Sequence, residues 1–265
     1  MDSHEISPIQ TIFREGNNMP DGTYRFISGG YEVITIASSD KSFQPASLYY
    51  GENNVDKTTV DEMAPDGKVP TGMNCFAVKT PEGYIMFDTG LPSSKGGMTL
   101  QRLKALNISS SDIKAIYLTH SHFDHIGGLL DEAGNAVYTE ATLFIPSEEF
   151  DFIKQTMSET ARLIESAYTG RITLFQCGEI LPGNILPISA KGHTPGHTAY
   201  LLGNLLFAGD VVHGPSIQLL NPEICASYDS NRQQAIATRK QILSYAATNS
   251  LTLLCAHAPA NGILF

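Results

Sequence analysis

The sequence predicts an α/β protein, and three observations carry that reading. Short runs rich in β-branched and aromatic residues recur along the chain, most of them closed by Gly, Pro, Asn or Asp. Between them lie segments with the 3.6-residue period of amphipathic helices. The composition, 42% hydrophobic and 17% charged over 265 residues, suits a chain that buries a full core. In chain order, strands are expected over Tyr31 to Ala37, Cys75 to Val78, Tyr84 to Phe87, Ala115 to Leu118, Thr142 to Ile145, Thr198 to Leu202, Leu205 to Phe207 and Leu251 to Leu254. Gly203-Asn204 between two of these runs reads as a tight hairpin turn. A helix is expected over about Thr99 to Leu106. Another follows Pro146, with Ser147 as its cap and Glu148 and Glu149 in the first turn, where the helix dipole favours acid. The clearest helix runs from about Asn231 to Ala247; Ala235, Ile236, Arg239, Ile242, Leu243 and Ala246 share one face, and Asp229 to Asn231 offer N-caps. The polar stretch 38–72 is longer than most connections within a compact domain and is expected to be a long loop near the active site. No linker or repeat divides the chain, so one domain over 1–265 is expected.

Charge and composition exclude several functions. Lys and Arg number 17 against 27 Asp and Glu, a formal net charge of −10, and no basic strip interrupts the acidity; nucleic acid is not an expected partner. No apolar run approaches the ~20 residues that span a bilayer, and the start, Met1-Asp2-Ser3-His4-Glu5, has neither a basic nor an apolar signal region. No membrane association is expected, and the chain as written reads as cytoplasmic; removal of a signal peptide would make it periplasmic or secreted. Cys75, Cys177, Cys225 and Cys255 are far apart, which points to buried free thiols rather than disulfides or a zinc knuckle.

The chemistry concentrates in Thr119-His120-Ser121-His122-Phe123-Asp124-His125-Ile126-Gly127-Gly128, directly after an apolar strand run. Imidazoles two apart on an extended segment point the same way, so His120 and His122 can grip one metal ion. Asp124 and His125 follow where the chain turns, with Gly127-Gly128 allowing close approach, and face a neighbouring position. Asp88, Asp210 and His257 each stand just past the carboxyl end of an apolar run, where α/β sheets gather their ligands. Taken singly, the two aspartates also read as turn residues and His257 as a half-buried histidine. In Gly192-His193-Thr194-Pro195-Gly196-His197 the better-placed ligand is His197, which opens the next strand, while His193 reads as a brace for its own turn. His213 lies close enough to Asp210 to support the site, and Cys255 reads as a buried strand thiol.

This pattern, His-x-His-x-Asp-His at 120 to 125 with Asp88 upstream and His197, Asp210 and His257 downstream, resembles the metallo-β-lactamase-fold hydrolase superfamily over about two thirds of the chain. The resemblance implies a four-layer αβ/βα sandwich with a dinuclear metal site at the sheet edge. It implies that His120, His122 and His197 bind one metal and Asp124, His125 and His257 the other. Asp210 would bridge them, and Asp88 would support the ligands, with His193 and His213 placed beside them by position alone. Within the superfamily the chain is similar to the methyl parathion hydrolase-like branch, which also holds lactonases and arylesterases. The matching phrases are Gly192 to Thr198, Gly209-Asp210-Val211-Val212-His213, the helix at 235–243 and Ser147-Glu148-Glu149-Phe150-Asp151-Phe152. It departs from that branch at His257-Ala258-Pro259-Ala260-Asn261-Gly262, where an aromatic of the pocket rim is missing, and at Phe265, which ends the chain early enough to remove a terminal strand.

The resemblance therefore implies two Zn²⁺ per chain, with Fe, Mn or Co as alternatives, and a homodimer. The expected reaction is cleavage of a lactone, aryl ester or organophosphate triester by a hydroxide shared between the metals, with Asp124 handing a proton to the leaving group and Asp210 as the second catalytic carboxylate. Phe123, Ile126, Phe150, Phe152, Leu219 and Tyr228 are the expected walls of the substrate pocket. Two readings of the same motif stand beside this one: a mononuclear iron persulfide dioxygenase and a β-lactamase.

Overall fold

The computed structural model describes residues 12–13, 19–51, 54–259 and 261–265; the N-terminal residues read for a targeting signal and Ala260 lie outside that set. Strands β1 (Ile12–Phe13), β2 (Thr23–Ser28) and β3 (Tyr31–Ala37) open the chain. A small unit follows, made of β4 (Phe43–Pro45), α1 (Asn54–Met63) and β5 (Lys68–Pro70). Then come β6 (Asn74–Thr80), β7 (Gly83–Phe87), α2 (Thr99–Ala105), β8 (Ile113–Tyr117) and the one-turn α3 (Phe123–Ile126). After β9 (Thr142–Pro146), α4 (Ser147–Thr156), α5 (Ser158–Ala167) and β10 (Ile172–Phe175), the chain forms β11 (Leu186–Ser189), β12 (Thr198–Leu202) and β13 (Leu205–Phe207). Helices α6 (Pro215–Gln218) and α7 (Arg232–Thr248) and strand β14 (Thr252–Leu254) complete it.

Among the described residues two larger sheets form, one ordered β1-β2-β3-β6-β7-β8-β9-β10 and the other β11-β12-β13-β14. They pack face to face. Phe26, Val33, Phe76, Phe87, Tyr117 and Phe144 from the first sheet meet Tyr200, Leu202, Phe207 and Leu254 from the second. Phe87 stacks on Phe207 with ring centroids 3.8 Å apart. The alternate residues Ile34, Ile36, Met86, Ile116, Leu143 and Ile145 point the other way, against Leu103, Ile126, Phe150, Ile153, Ala161 and Ile164 on α2 to α5. Behind the second sheet, Ala199, Leu206 and Leu253 pack on Ile242 and Ala246 of α7. The order helix, sheet, sheet, helix is the expected αβ/βα sandwich. Central strands buried on both faces explain why their sequence runs are continuously apolar rather than alternating.

This topology fixes the site. Strand β7 is parallel to β8, and β13 is parallel to β14, so Asp88, the segment after Tyr117, Asp210 and His257 all leave the carboxyl ends of parallel neighbours. Strand β12 is antiparallel to β13, which brings the loop before Thr198 to the same edge.

Two sequence expectations are corrected. The described residues of 38–72 form a folded cap rather than a loop. β4 pairs with β5, and Ala46, Tyr49, Val60, Ala64 and Val69 pack with Ile217, Ile224 and Ala226 in a core of their own. The stretch reads as polar because only one face of each element is buried. At α4 the cap position belongs to Pro146, and Ser147 Oγ donates instead to the Phe175 carbonyl at 3.0 Å. At α7 the Asn231 side chain accepts from the Gln234 amide, as expected of a cap.

Because Phe207 is 1% exposed and stacked between the sheets, Phe207→Ala is expected to cost about 3–5 kcal/mol. Equilibrium denaturation checks this; a shift of the midpoint equivalent to less than about 1 kcal/mol would mean the inter-sheet layer packs differently.

Candidate metal centre

Past β8 the chain runs extended through Thr119 to His122 and then turns into α3, whose first turn holds Asp124 and His125. Three imidazole nitrogens meet here. His122 Nδ1 is 3.1 Å from His120 Nε2 and 2.8 Å from His193 Nε2, and His193 Nε2 is 3.1 Å from His120 Nε2. Beside this triangle lies a second group, formed by Asp124, His125 and His257. Asp210 stands between the two. Its Oδ1 is 3.1 Å from His125 Nε2, while its Oδ2 is 3.1 Å from His257 Nε2, 3.4 Å from His193 Nε2 and 3.7 Å from His120 Nε2.

The far nitrogens of His120, His125, His193 and His257 are tied down, which fixes which nitrogen faces inward. His125 Nδ1 donates to Asp88 Oδ2 at 2.8 Å, and His193 Nδ1 to Asp229 Oδ1 at 2.9 Å. His257 Nδ1 donates to the Gly72 carbonyl at 2.9 Å. His120 Nδ1 lies 3.1 Å from the Thr119 hydroxyl, which itself donates to Asp88. Asp88 is held in the left-handed region, φ +61°, and Asp is among the few residue types that enter it readily. That turn lets one carboxyl take the Thr119 amide, the Thr119 hydroxyl and the His125 ring together. The glycines act as the sequence suggested: a Cβ on Gly128 would stand 2.4 Å from the Thr89 carbonyl, and one on Gly127 would stand 2.4 Å from that of Phe123.

Electrostatics divides the two groups. Burial holds the His120, His122 and His193 rings below the usual histidine range, so they present neutral lone pairs to one another. At His257 burial pulls the same way, but Asp210 and Asp124 outweigh it and hold the ring up at about 9. His125 is likewise raised, with Asp210, Asp88 and Asp124 overcoming its burial. Burial would raise Asp210, yet the positive rings of His125 and His257 hold it well below the usual carboxylate range.

These residues fit metal ions. A tetrahedral ion with bonds of about 2.0–2.1 Å keeps its nitrogens roughly 3.3–3.4 Å apart, so the triangle with edges of 3.1, 3.1 and 2.8 Å would open by only about half an ångström at most to hold one. Buried His125 Nε2 and Asp210 Oδ1 face each other at 3.1 Å without a well-aligned hydrogen bond, so both atoms are open to an ion between them.

The sequence placed His120, His122, Asp124, His125, Asp210 and His257 together, and the structure brings them together. It does not bring His197 with them. Its Nδ1 donates to the Ala190 carbonyl at 2.8 Å and its Nε2 accepts the Asp210 amide at 3.1 Å, so neither nitrogen is free to turn inward. His193, expected only to brace its own turn, takes that place. The start of the strand is not the presenting position; the turn before it carries the His193 ring inward. His213 is fully buried 3.2 Å from Asp210 Oδ2 and has no hydrogen-bond partner on either nitrogen. Tyr228 closes on the centre, 4.9 Å from the His213 ring and 6.0 Å from that of His193, with its hydroxyl on Gln44 of the cap. Ile126 and Phe150 are corrected: both are buried in the core behind the first sheet, packed with α2 to α5. Phe123 is 40% exposed under Lys95, Leu219 is exposed after α6, and Phe152 is half-buried on α4.

Sequence reasoning missed Asp229, Arg239 and Glu149 as parts of the site. Asp229, lowered below its usual range by the His193 hydrogen bond and nearby positive charge, also accepts from the Arg239 guanidinium at 3.3 Å. Arg239 donates further to the carbonyls of Val211, Pro222 and Ile224. Its place on the otherwise apolar buried face of α7, beside Ala235, Ile242 and Ala246, was the available signal.

A model of the metallo-beta-lactamase superfamily matches residues 70–257, from the end of β5 to His257 itself. The chain belongs to that superfamily. The stretches matched in the first two curated relatives are 61% and 55% of their lengths. An N-acyl homoserine lactonase of Bacillus cereus is 24% identical over 190 residues, 58% of this chain and 69% of its own. Among solved members of the superfamily, the hydrolase AbOPH superposes with a TM-score of 0.81 at 26% identity, covering 93% of both chains. AidC, a dizinc quorum-quenching lactonase solved with a product, superposes with a TM-score of 0.79 at 24% identity over 91% of this chain and 92% of its own.

A metal ion entering beside His125 and His257 displaces their protons, because both rings are held charged at neutral pH. Affinity at that position is therefore expected to rise about tenfold per pH unit for each proton displaced, the contribution of His257 levelling off above about 9. Calorimetric zinc titrations in two buffers of different ionisation enthalpy, repeated from pH 6 to 9, measure this. Binding that neither releases protons nor changes with pH would contradict the charge assignment.

Proposed function

We propose that this protein is a dinuclear zinc hydrolase of neutral, largely apolar esters, with a lactone or aryl ester as substrate and organophosphate triesters cleaved more slowly. The observation that carries the reading is the pair of ligand groups joined by Asp210. His120, His122 and His193 would hold one cation, Asp124, His125 and His257 the other, with Asp210 reaching both. Bound there, two divalent cations would supply a nucleophile by lowering the pKa of water and would polarise the carbonyl or phosphoryl oxygen under attack. No side-chain nucleophile is then needed, consistent with Cys75, Cys177, Cys225 and Cys255 all being pushed up by burial and so held as thiols.

The chain's own contribution is orientation and proton handling. Asp88 and Asp229 hold His125 and His193 in the tautomers that present Nε2 inward. Asp124 differs from the other carboxyl groups of the centre: its side chain is 20% exposed, against 5% for Asp88, 2% for Asp210 and 1% for Asp229. It is thus placed to carry a proton between the leaving oxygen and solvent. Arg239 has its donors engaged with three carbonyls and Asp229, so it does not hold a charged substrate. The lactonases among the relatives support the choice of a neutral ester over the iron dioxygenase and β-lactamase readings.

Protein purified without added metal is expected to carry about two zinc ions per chain and to open an acyl lactone, with loss of the activity in chelator and recovery on adding zinc. Asp124→Asn is expected to lower kcat by a hundredfold or more. One iron per chain with no ester hydrolysis would overturn the proposal.

A further inference from the structure

Glu149 stands in the first turn of α4, fully buried, and its carboxyl group is not among the residues that face the two ligand groups. Each of its oxygens accepts one backbone amide and one hydroxyl. Oε1 takes the Ser121 amide at 2.7 Å and the Ser121 hydroxyl, and Oε2 takes the Gly196 amide at 3.0 Å and the Thr194 hydroxyl at 2.7 Å. Ser121 lies between His120 and His122, and Thr194 directly follows His193. One side chain thus grips both loops that carry the three-nitrogen triangle. A second observation points the same way: a Cβ on Gly196 would stand 2.2 Å from the Glu149 amide nitrogen and 2.6 Å from its Cα, so that loop lies directly against the helix. The loops also touch through the Thr198 amide and Thr119 carbonyl at 2.9 Å.

We propose that Glu149 is the positioning residue of the three-histidine subsite, setting His193 against His120 and His122 so that their nitrogens converge. This rests on the reading above that those nitrogens hold a metal ion. The Asp124, His125 and His257 group takes its support from Asp88 and the Gly72 carbonyl and does not depend on the clamp. A glutamine cannot replace the glutamate. Ser and Thr hydroxyls can reverse and accept, but a backbone amide cannot, and in either orientation the NH₂ of a glutamine meets the amide of Ser121 or of Gly196.

The test is a zinc titration of wild type, Glu149→Gln and Thr194→Val, followed by NMR of ¹⁵N-labelled histidine side chains, which separates the two subsites. Glu149→Gln is expected to weaken zinc 10- to 100-fold at His120, His122 and His193 and less than about threefold at His125 and His257. Thr194→Val, which removes one hydroxyl donor and keeps the Gly196 amide, is expected to weaken the same subsite about threefold to tenfold, and it carries the test if Glu149→Gln does not fold. Unaltered affinity at the three-histidine subsite, or equal weakening of both subsites, would overturn the positioning role. A wild type that binds no zinc at the three histidines would overturn the metal reading itself, which separates the two failures.

Discussion

The carboxyl group of Asp210 is buried among imidazoles, and the architecture of the site follows from accommodating it. An acidic group 2% exposed is costly unless cations and donors surround it. Five histidine rings have nitrogens within 3.1 to 3.7 Å of its oxygens: His120, His125, His193, His213 and His257. Of these, His125 and His257 carry the offsetting positive charge and come from separate stretches of chain, so the carboxyl is satisfied only when the sandwich has brought those stretches to one edge. Gly209, at φ +53°, makes the approach possible, since a Cβ there would stand 2.6 Å from His197 Nε2 and 2.8 Å from Thr119 Cβ. His197 then holds Asp210 by its backbone amide, leaving the side chain to face inward.

The two sides of Asp210 are built on different electrostatics. On one side, burial outweighs the carboxyl and three neutral rings crowd together; on the other, Asp88, Asp124 and Asp210 together outweigh burial and keep two rings charged. In the free protein those charges stand where divalent ions would otherwise neutralise the acids. A metal ion binding there would take the place of the two ring protons beside these acids. A superfamily fold placing such a group at the carboxyl ends of parallel strands needs no single loop to be rigid by itself, because Asp88, Asp229, Glu149 and His197 tie each ligand loop to a neighbouring element.

Much of this was legible in the sequence for identifiable reasons. Continuous apolar runs such as Tyr84 to Phe87 and Ala115 to Leu118 mark strands buried on both faces, and the ligand residues follow them directly. Strand β10 escaped because Thr173 and Leu174 lie exposed at the edge of the sheet, where packing leaves little pattern. The cap at 38–72 escaped because its core is completed by Ile217, Ile224 and Ala226, far away in sequence. The exchange of His193 and His197 has the same origin. Both stand in one short loop, and what separates them is long-range: Asp229 lies 36 residues from His193, and the Asp210 amide 13 residues from His197. Glu149, Asp229 and Arg239 act through partners that no local pattern reveals.

The account rests on where the ions sit, and anomalous scattering from zinc-loaded crystals at the zinc absorption edge measures that directly. It predicts two peaks per chain. One lies at about 2.0–2.1 Å from His120 Nε2, His122 Nδ1 and His193 Nε2, the other lies against Asp124, His125 and His257, and Asp210 touches both. A single peak, or one bonded to His197 with His193 turned away, would contradict it.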